Sequence, residues 1–238
     1  MVKYFNGSLV EYEIYKLVDF YDPILRTPTI PVKLETADDR KNADTVALSL
    51  SETLMRSQGL GLSANQCGRT ERMFALNMGE QKQVWVMFNP QIIERSESVS
   101  DLFEGCLSYP GLYLKLKRSD HIKIKFQTIN GEWIEQEFDG LTAVCVQHEI
   151  DHLYGIMYTD LVSPIKLDQA KRKVNQNMRR WKKYMKQQKY ISAQMAKQQS
   201  VSQPQPQESK IKILGDASPL SMGSKEPEKF IYTGGSAL

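Results

Sequence analysis

The chain has 238 residues, 41% of them hydrophobic and 25% charged, with 31 Lys and Arg against 28 Asp and Glu. That is the composition of a soluble globular protein, long enough for one good core plus an appendage or for two small domains, and it excludes a fibrous or wholly disordered chain. No apolar run is long enough to span a bilayer, the polar start Met1-Val2-Lys3-Tyr4 lacks the apolar core of a signal peptide, and three widely spaced cysteines make no disulfide framework, so a reducing, cytoplasmic setting with no membrane is expected.

Residues 1–14 contain aromatics without a clear period and read as an N-terminal extension. Residues 22–28, Asp-Pro-Ile-Leu-Arg-Thr-Pro, form an extended segment punctuated by proline. Residues 38–58 read as a helix with Val46, Leu50 and Leu54 at helical spacing and Gly59 as its stop. Gly59-Leu60-Gly61-Leu62-Ser63-Ala64-Asn65-Gln66 follows, its alternate glycines letting the backbone come close to another group. It follows a helix, whereas a dinucleotide-binding loop must follow a strand, so on its own it reads as a tight turn.

Residues 72–138 read as β structure. The runs 73–77 and 84–89 are apolar and of strand length, 121–128 alternates, and Asn130-Gly131 joins that stretch to 133–138 as a hairpin. Glu104-Gly105-Cys106-Leu107-Ser108 lies inside this region, with Tyr109-Pro110-Gly111 read as the turn that closes it. His121 reads as an ordinary strand-face histidine.

A helix is expected from Gly140 to Tyr154, with Asp139 as N-cap and Gly155 past the end. It carries Gln147-His148-Glu149-Ile150-Asp151-His152, an H-E-x-x-H pattern. Residues four apart share a helix face, so His148 and His152 can offer two imidazoles to one metal with Glu149 at its edge. Two histidines need a third ligand. Cys106 is the preferred candidate, since its thiolate suits Fe²⁺ or Zn²⁺, and Cys67 is the rival. Cys145 is expected to line the pocket.

Ser163-Pro164 opens a second long helix with Leu167, Ala170, Val174, Met178, Trp181 and Met185 as its apolar stripe. Between Lys166 and Lys189 it holds ten basic residues against the single acid Asp168, which leaves the rest of the chain net acidic. From residue 191 the composition turns to Gln, Ser, Pro, Lys and Gly and reads as disordered. The expected division is thus 1–14, 15–165, a basic helix 166–190, and a tail 191–238.

The three blocks 59–66, 104–108 and 147–155 together resemble the three signature motifs of peptide deformylases, in the right order and at fitting intervals, and residues 22–32 resemble that family's D-P-x-L-R-x-x-x-x-P-V segment. The resemblance covers about residues 15–165. Ser63 departs from it, standing where the family usually has alanine, a small-for-small change expected to leave the backbone undisturbed. The resemblance implies an α+β fold of antiparallel β-sheets packed around a central metal-binding helix, with an N-terminal and a C-terminal helix. It implies a hydrolase that removes the N-formyl group from the initiating methionine of nascent polypeptides, using one divalent metal, Fe²⁺ foremost with Zn²⁺, Ni²⁺ or Co²⁺ as alternatives. By motif position Cys106, His148 and His152 would be the ligands, and Glu149 the base and acid that serves a metal-bound hydroxide. Gln66 and the Leu107 backbone N–H would be the donors to the developing oxyanion. Gly61 and Gly105 would pair with an extended peptide, and Leu60, Val144 and Cys145 would hold the methionine side chain. Glu104 and Asp151 are candidates to support the ligand histidines from behind. Some deformylases are held at the ribosome by a C-terminal helix, so the basic helix 166–190 is a candidate ribosome contact.

Two other readings are open to the residues. A zinc protease of the H-E-x-x-H type would need a downstream ligand, yet no histidine follows His152, and it would leave Glu104-Gly105-Cys106 unexplained. A binding module with a dead site would have no reason to keep Gln66, Cys106, His148, Glu149 and His152 together.

Overall fold

The computed structural model describes residues 1–79 and 83–201. The chain divides into two units, one from Met1 to Lys186 and one from Gln187 onward.

Thr36 opens the first long helix, α1 (Ala37–Ser57). Its hydroxyl accepts from the Asp39 N–H while the Asp39 carboxylate accepts from the Thr36 N–H, so two N–H groups that a helix start leaves orphaned are both satisfied. Val46, Leu50 and Leu54 are buried as their spacing predicts. The helix stops on Gln58, at φ +54°, and not on the expected Gly59. Gly59 is needed for another reason, since a Cβ there would stand 2.8 Å from Leu107 Cδ1.

The strands among the described residues are β1 (Val2–Phe5), β2 (Ser8–Glu11), β3 (Gly61–Ser63), β4 (Met73–Asn77), β5 (Val84–Arg95), β6 (Val99–Cys106), β7 (Tyr109–Ser119), β8 (His121–Gln127) and β9 (Trp133–Asp139). Five of them form one antiparallel sheet in the order β3-β4-β5-β8-β9. Period-two alternation sends Met73 and Ala75 to one face, against Val46, Leu50 and Leu54 of α1. It sends Phe74 and Leu76 to the other, with Met87, Ile122, Ile124 and Phe138, against the second helix, α2 (Gly140–Leu153), which contributes Ala143, Val146, Ile150 and Leu153. Each such large side chain taken from water stabilises the fold by about 1.5–3 kcal/mol.

Within the glycine-rich segment, expected as a turn, Gly61–Ser63 are instead a strand at the edge of the main sheet, and Ala64–Cys67 follow as a 3-10 turn. The N-terminal extension is a hairpin, β1–β2. Val10 is buried, Lys3 pairs with Glu52 and Asn6 with Asp44, so the hairpin lies on α1. Its strands are too short to show a period, and the Asn6-Gly7 turn is the sequence signal for them.

β6 and β7 form a separate two-stranded sheet. Leu112, Leu114 and Leu116 point inward from β7 while Tyr113, Lys115 and Lys117 stay exposed. The connection is the turn Leu107-Ser108, not the expected Tyr109-Pro110-Gly111, which begins β7; Tyr109 pairs directly with Cys106. The inward face of the hairpin packs with Phe20, Leu25, Met157 and Tyr158 in a third cluster. Helix α2 is thus central, with the main sheet on one side and the hairpin on the other. Asp139 sits at its N-cap position but does not cap it, pairing instead with His121 Nδ1 at 2.7 Å.

The third helix, α3 (Pro164–Val201), starts on Ser163 as expected, with Lys166 N–H donating to Ser163 Oγ. Leu167, Ala170 and Val174 pack on the third cluster, and the side chains from Asn175 to Lys186 are exposed. In the second unit the helix continues to Val201, so residues 191–201, read as the start of a disordered tail, are helical. Their three glutamines, two alanines and one lysine are good helix formers, and no Gly or Pro interrupts them. The rest of the expected tail, 202–238, lies outside the described residues.

Candidate active site

His148 and His152, one turn apart on α2, point their Nε2 atoms at each other across 3.2 Å, with the rings nearly perpendicular. Cys106, the last residue of β6, brings its Sγ to 3.3 Å from His152 Nε2. These three donor atoms all lie within 4.8 Å of one another and all three residues are buried. Cys67, the rival third ligand, is not with them: it packs in the α1 cluster, where burial pushes its thiol up to about 12. Burial also holds the His152 pKa well below the ordinary histidine value, which keeps its imidazole neutral with a lone pair free to bind. Two imidazole nitrogens and one sulfur facing a common buried point fit a single cation of the Fe²⁺ or Zn²⁺ type.

Gln66 follows β3 in a tight helical turn. Its side-chain N–H donates to Cys106 Sγ at 3.3 Å, while its Oε1 accepts from Ser63 N–H at 3.0 Å and Ser63 Oγ at 2.9 Å. Glu149 is buried, and its Oε2 has no hydrogen-bond partner among the described residues. Burial is the chief cause that pushes its pKa up to about 7, against the opposing influence of the neighbouring His148. Gly61 explains how Glu149 fits so close to the sheet edge: a Cβ there would lie 2.6 Å from Glu149 Oε1 and 2.8 Å from Cys145 Sγ.

Behind these three side chains, Glu104 Oε2 is 3.0 Å from His148 Nδ1. Arg118 grips Glu104 with two bonds, Nε to Oε1 at 2.7 Å and Nη2 to Oε2 at 3.0 Å, and reaches Asp151 with Nη1. Burial would raise the Glu104 pKa, but the bonds from His148 and Arg118 outweigh it and hold the carboxyl below its ordinary value. Glu104 thus touches His148 directly, whereas Asp151 reaches it only through Arg118 and Glu104. His152 Nδ1 finds no partner among the described residues.

Glu104, Cys106 and His148 open with Gln66 and Glu149 on one cleft of about 430 Å³, while His152, Arg118 and Asp151 are not part of its lining. Leu60, Gly61, Gln66, Gly105, Cys106, Leu107, Val144, Cys145, His148 and Glu149, each expected at the site, line it.

A family model described as polypeptide deformylase matches residues 14–168, well over half of the chain. The chain belongs to the peptide deformylase family. The peptide deformylase of Alkalilimnicola ehrlichii is 38% identical over 168 residues, which cover 70% of this chain and 92% of that one. Among solved structures, the Thermotoga maritima peptide deformylase is 35% identical with a TM-score of 0.59, covering 64% of this chain and 99% of that one. The Legionella pneumophila enzyme is 32% identical with a TM-score of 0.63, covering 70% and 96%. The match ends early in α3, so the hairpin β1–β2 and nearly all of α3 lie outside what this chain shares with the family model.

Two contributors to this deformylase-family site, Arg118 and Tyr158, were not singled out in the sequence, and a third, Ser63, was given too small a part. Arg118 carried a signal, since it continues the inward phase of Leu112, Leu114 and Leu116, where an unpaired charge would be prohibitive. Ser63 was taken as interchangeable with alanine, yet its hydroxyl holds Gln66. Tyr158 lies with its ring 5.5 Å from that of His148 and donates its hydroxyl to Leu112 O at 3.0 Å; nothing in its local sequence marks it.

Proposed function

We propose that the chain hydrolyses the N-formyl group from the N-terminal formyl-methionine of newly made polypeptides, releasing formate. The observation that carries this reading is the convergence of the Cys106, His148 and His152 donor atoms, with Cys106 and His148 lining a cleft that Gln66 and Glu149 also line. Cys106, His148 and His152 would hold one divalent ion, Fe²⁺ in our reading, with Zn²⁺, Co²⁺ and Ni²⁺ compatible with the same donors. When bound, such an ion supplies a water that ionises near neutral pH and polarises the carbonyl beside it.

The remaining work falls to the chain's own residues. β3 and the end of β6 offer main-chain groups at Gly61 and Gly105 to an extended peptide, an interaction that reads no side chain and so suits many substrates sharing one terminus. Val144, Cys145 and Leu60 receive the methionine side chain. The Gln66 amide and the Leu107 backbone N–H donate to the formyl oxygen as negative charge develops on it. Glu149 takes a proton from the attacking water and returns it to the departing amine; a carboxylate whose pKa burial brings near 7 can do both. Glu104 fixes the ring of His148, and Arg118 with Asp151 fixes Glu104.

The test is formate release from a formyl-Met peptide by protein purified without oxygen, with metal content measured alongside, against cleavage of the same peptide lacking the formyl group. Formate with one metal per chain is the expected result. Internal cleavage of the unformylated peptide would instead establish a protease of the H-E-x-x-H type.

No helix among the described residues is long and apolar enough to cross a membrane. A cytoplasmic location is our reading, supported by three free cysteines, of which Cys106 turns its sulfur to His152. We also read the basic stretch 166–190 as a ribosome contact, supported by its ten cations. Charge reversal at the exposed Arg179, Lys182 and Lys183 is expected to abolish salt-sensitive co-sedimentation with ribosomes.

A further inference from the structure

The floor of the cleft is polar and buried, but its mouth is made differently. Leu60, Phe103, Tyr113 and Leu141 line the cleft and yet remain 51%, 67%, 63% and 56% exposed. Single exposed apolar side chains are common; four on the rim of one cleft are a feature. Two of them stand on the outward face of hairpin β6–β7. That face carries Asp101, Phe103 and Gly105 on one strand, and Gly111, Tyr113, Lys115 and Lys117 on the other. Phe103 pairs with Lys115, which makes Tyr113 its diagonal neighbour on the same face. The Tyr113 ring lies on Gly105, where a Cβ would stand 2.7 Å from Tyr113 Cε1. Next to Phe103 the face becomes charged, with Lys115 Nζ 2.8 Å from Asp101 Oδ2. The aromatic pair therefore occupies the end of the hairpin that borders the cleft. Neither ring fills a core, so the fold gives no reason for both to be apolar.

Resting on the deformylase reading above, we infer that Phe103 and Tyr113, together with Leu60, form an apolar shelf for the side chains that follow methionine. The enzyme selects substrates with an aromatic or branched apolar residue at the second or third position over those with a small polar or acidic one. A formylated chain held at its methionine has to leave through this mouth, and the shelf is continuous with the wall that holds the methionine. Main-chain pairing reads no side chain, so discrimination beyond methionine falls to these rings. Contact with such a pair changes affinity by about three- to tenfold. The shelf lies away from the scissile amide and touches ground state and transition state alike, so its effect belongs in KM rather than in kcat.

Formate release is measured with the full-length, metal-loaded protein on formyl-Met-X-Ala and formyl-Met-Ala-X, with X as Phe, Leu, Ser or Asp. The expected result is a Phe-to-Ser ratio in kcat/KM of about five to ten at one of the two positions, carried by KM. The ratio should fall to about two in Tyr113→Ala or Phe103→Ala and persist in Tyr113→Phe, because the ring and not the hydroxyl makes the shelf. Each ratio is taken within one protein, so a variant with a lower overall rate still reports on it. A ratio near one in the unaltered protein, or one unchanged in both alanine variants, overturns the shelf while formate release upholds the deformylase reading. Absence of formate from every formyl peptide overturns that reading and the shelf with it.

Discussion

Ser63 Oγ donates to Gln66 Oε1 at 2.9 Å, and the N–H of the same serine donates to the same oxygen at 3.0 Å. Both bonds occupy the carbonyl end of the Gln66 amide, so its N–H end is the one turned to Cys106 Sγ. A flipped amide would set its own donors against two others in a buried place, which the buried hydrogen-bonding groups of a protein do not tolerate. A single serine thus decides which end of the glutamine amide faces Cys106.

Gln66→Ala removes that donor, and kcat for formate release should fall about 10²–10³-fold. Ser63→Ala keeps the backbone bond and loses only the hydroxyl, so kcat should fall about fivefold, the worth of one net hydrogen bond, with KM unchanged. An unaltered kcat in Ser63→Ala would mean that the backbone N–H alone orients the amide.

Glu149→Gln preserves size and removes the proton carrier. Formate release should drop by about 10²–10⁴ while bound metal per chain stays as before. The variant should unfold at no lower denaturant concentration than the parent, because the buried Glu149 oxygen that lacks a partner is no longer a potential charge. Full activity in this variant would remove Glu149 from the mechanism.

Arg118 is 7% exposed and joins Glu104 to Asp151. Arg118→Met would leave the Glu104 carboxylate buried without its main partner, at a cost of about 3–5 kcal/mol in urea unfolding. Metal affinity, followed by chelator competition, should weaken by about 10–100-fold as His148 loses its fixed orientation. Asp151→Asn should cost far less on both counts, since it touches Arg118 and not the histidine.

Chelation should abolish formate release and lower the thermal midpoint together, and both should return on adding Fe²⁺ or Zn²⁺. At free metal about 1,000 times Kd, binding adds about 4 kcal/mol to stability. Full activity and an unchanged metal-induced shift in Cys106→Ala would place the metal elsewhere than among Cys106, His148 and His152.

The polar site was legible because its chemistry sits in short local patterns. The spacing of His148 and His152 requires only a helix, and Cys106 is marked by its glycine neighbour and by its block. What sequence did not disclose is set by packing between distant segments. Arg118 matters because β7 turns it toward Glu104 and Asp151, fourteen and thirty-three positions away. The Leu107-Ser108 turn was hidden because Tyr109-Pro110-Gly111 is the stronger local turn signal, and pairing of Tyr109 with Cys106 overrides it. Gly59 reads as a helix stop on local grounds, while its absent Cβ makes room for Leu107. The helical run past residue 190 was lost to a composition average that weighed the prolines further on.

Helix α2 is covered on one side by the main sheet and on the other by the β6–β7 hairpin, with Ala143, Val146 and Leu153 fully buried. Segments held this way open only in the rarest fluctuations, those that approach global unfolding. The amide protons of 146–153 should therefore be among the slowest in the molecule to exchange with deuterium. His148 and His152 belong to that segment, so ion loss through backbone opening would occur at the pace of whole-domain unfolding, while the cleft mouth gives small molecules a faster route to the same ion.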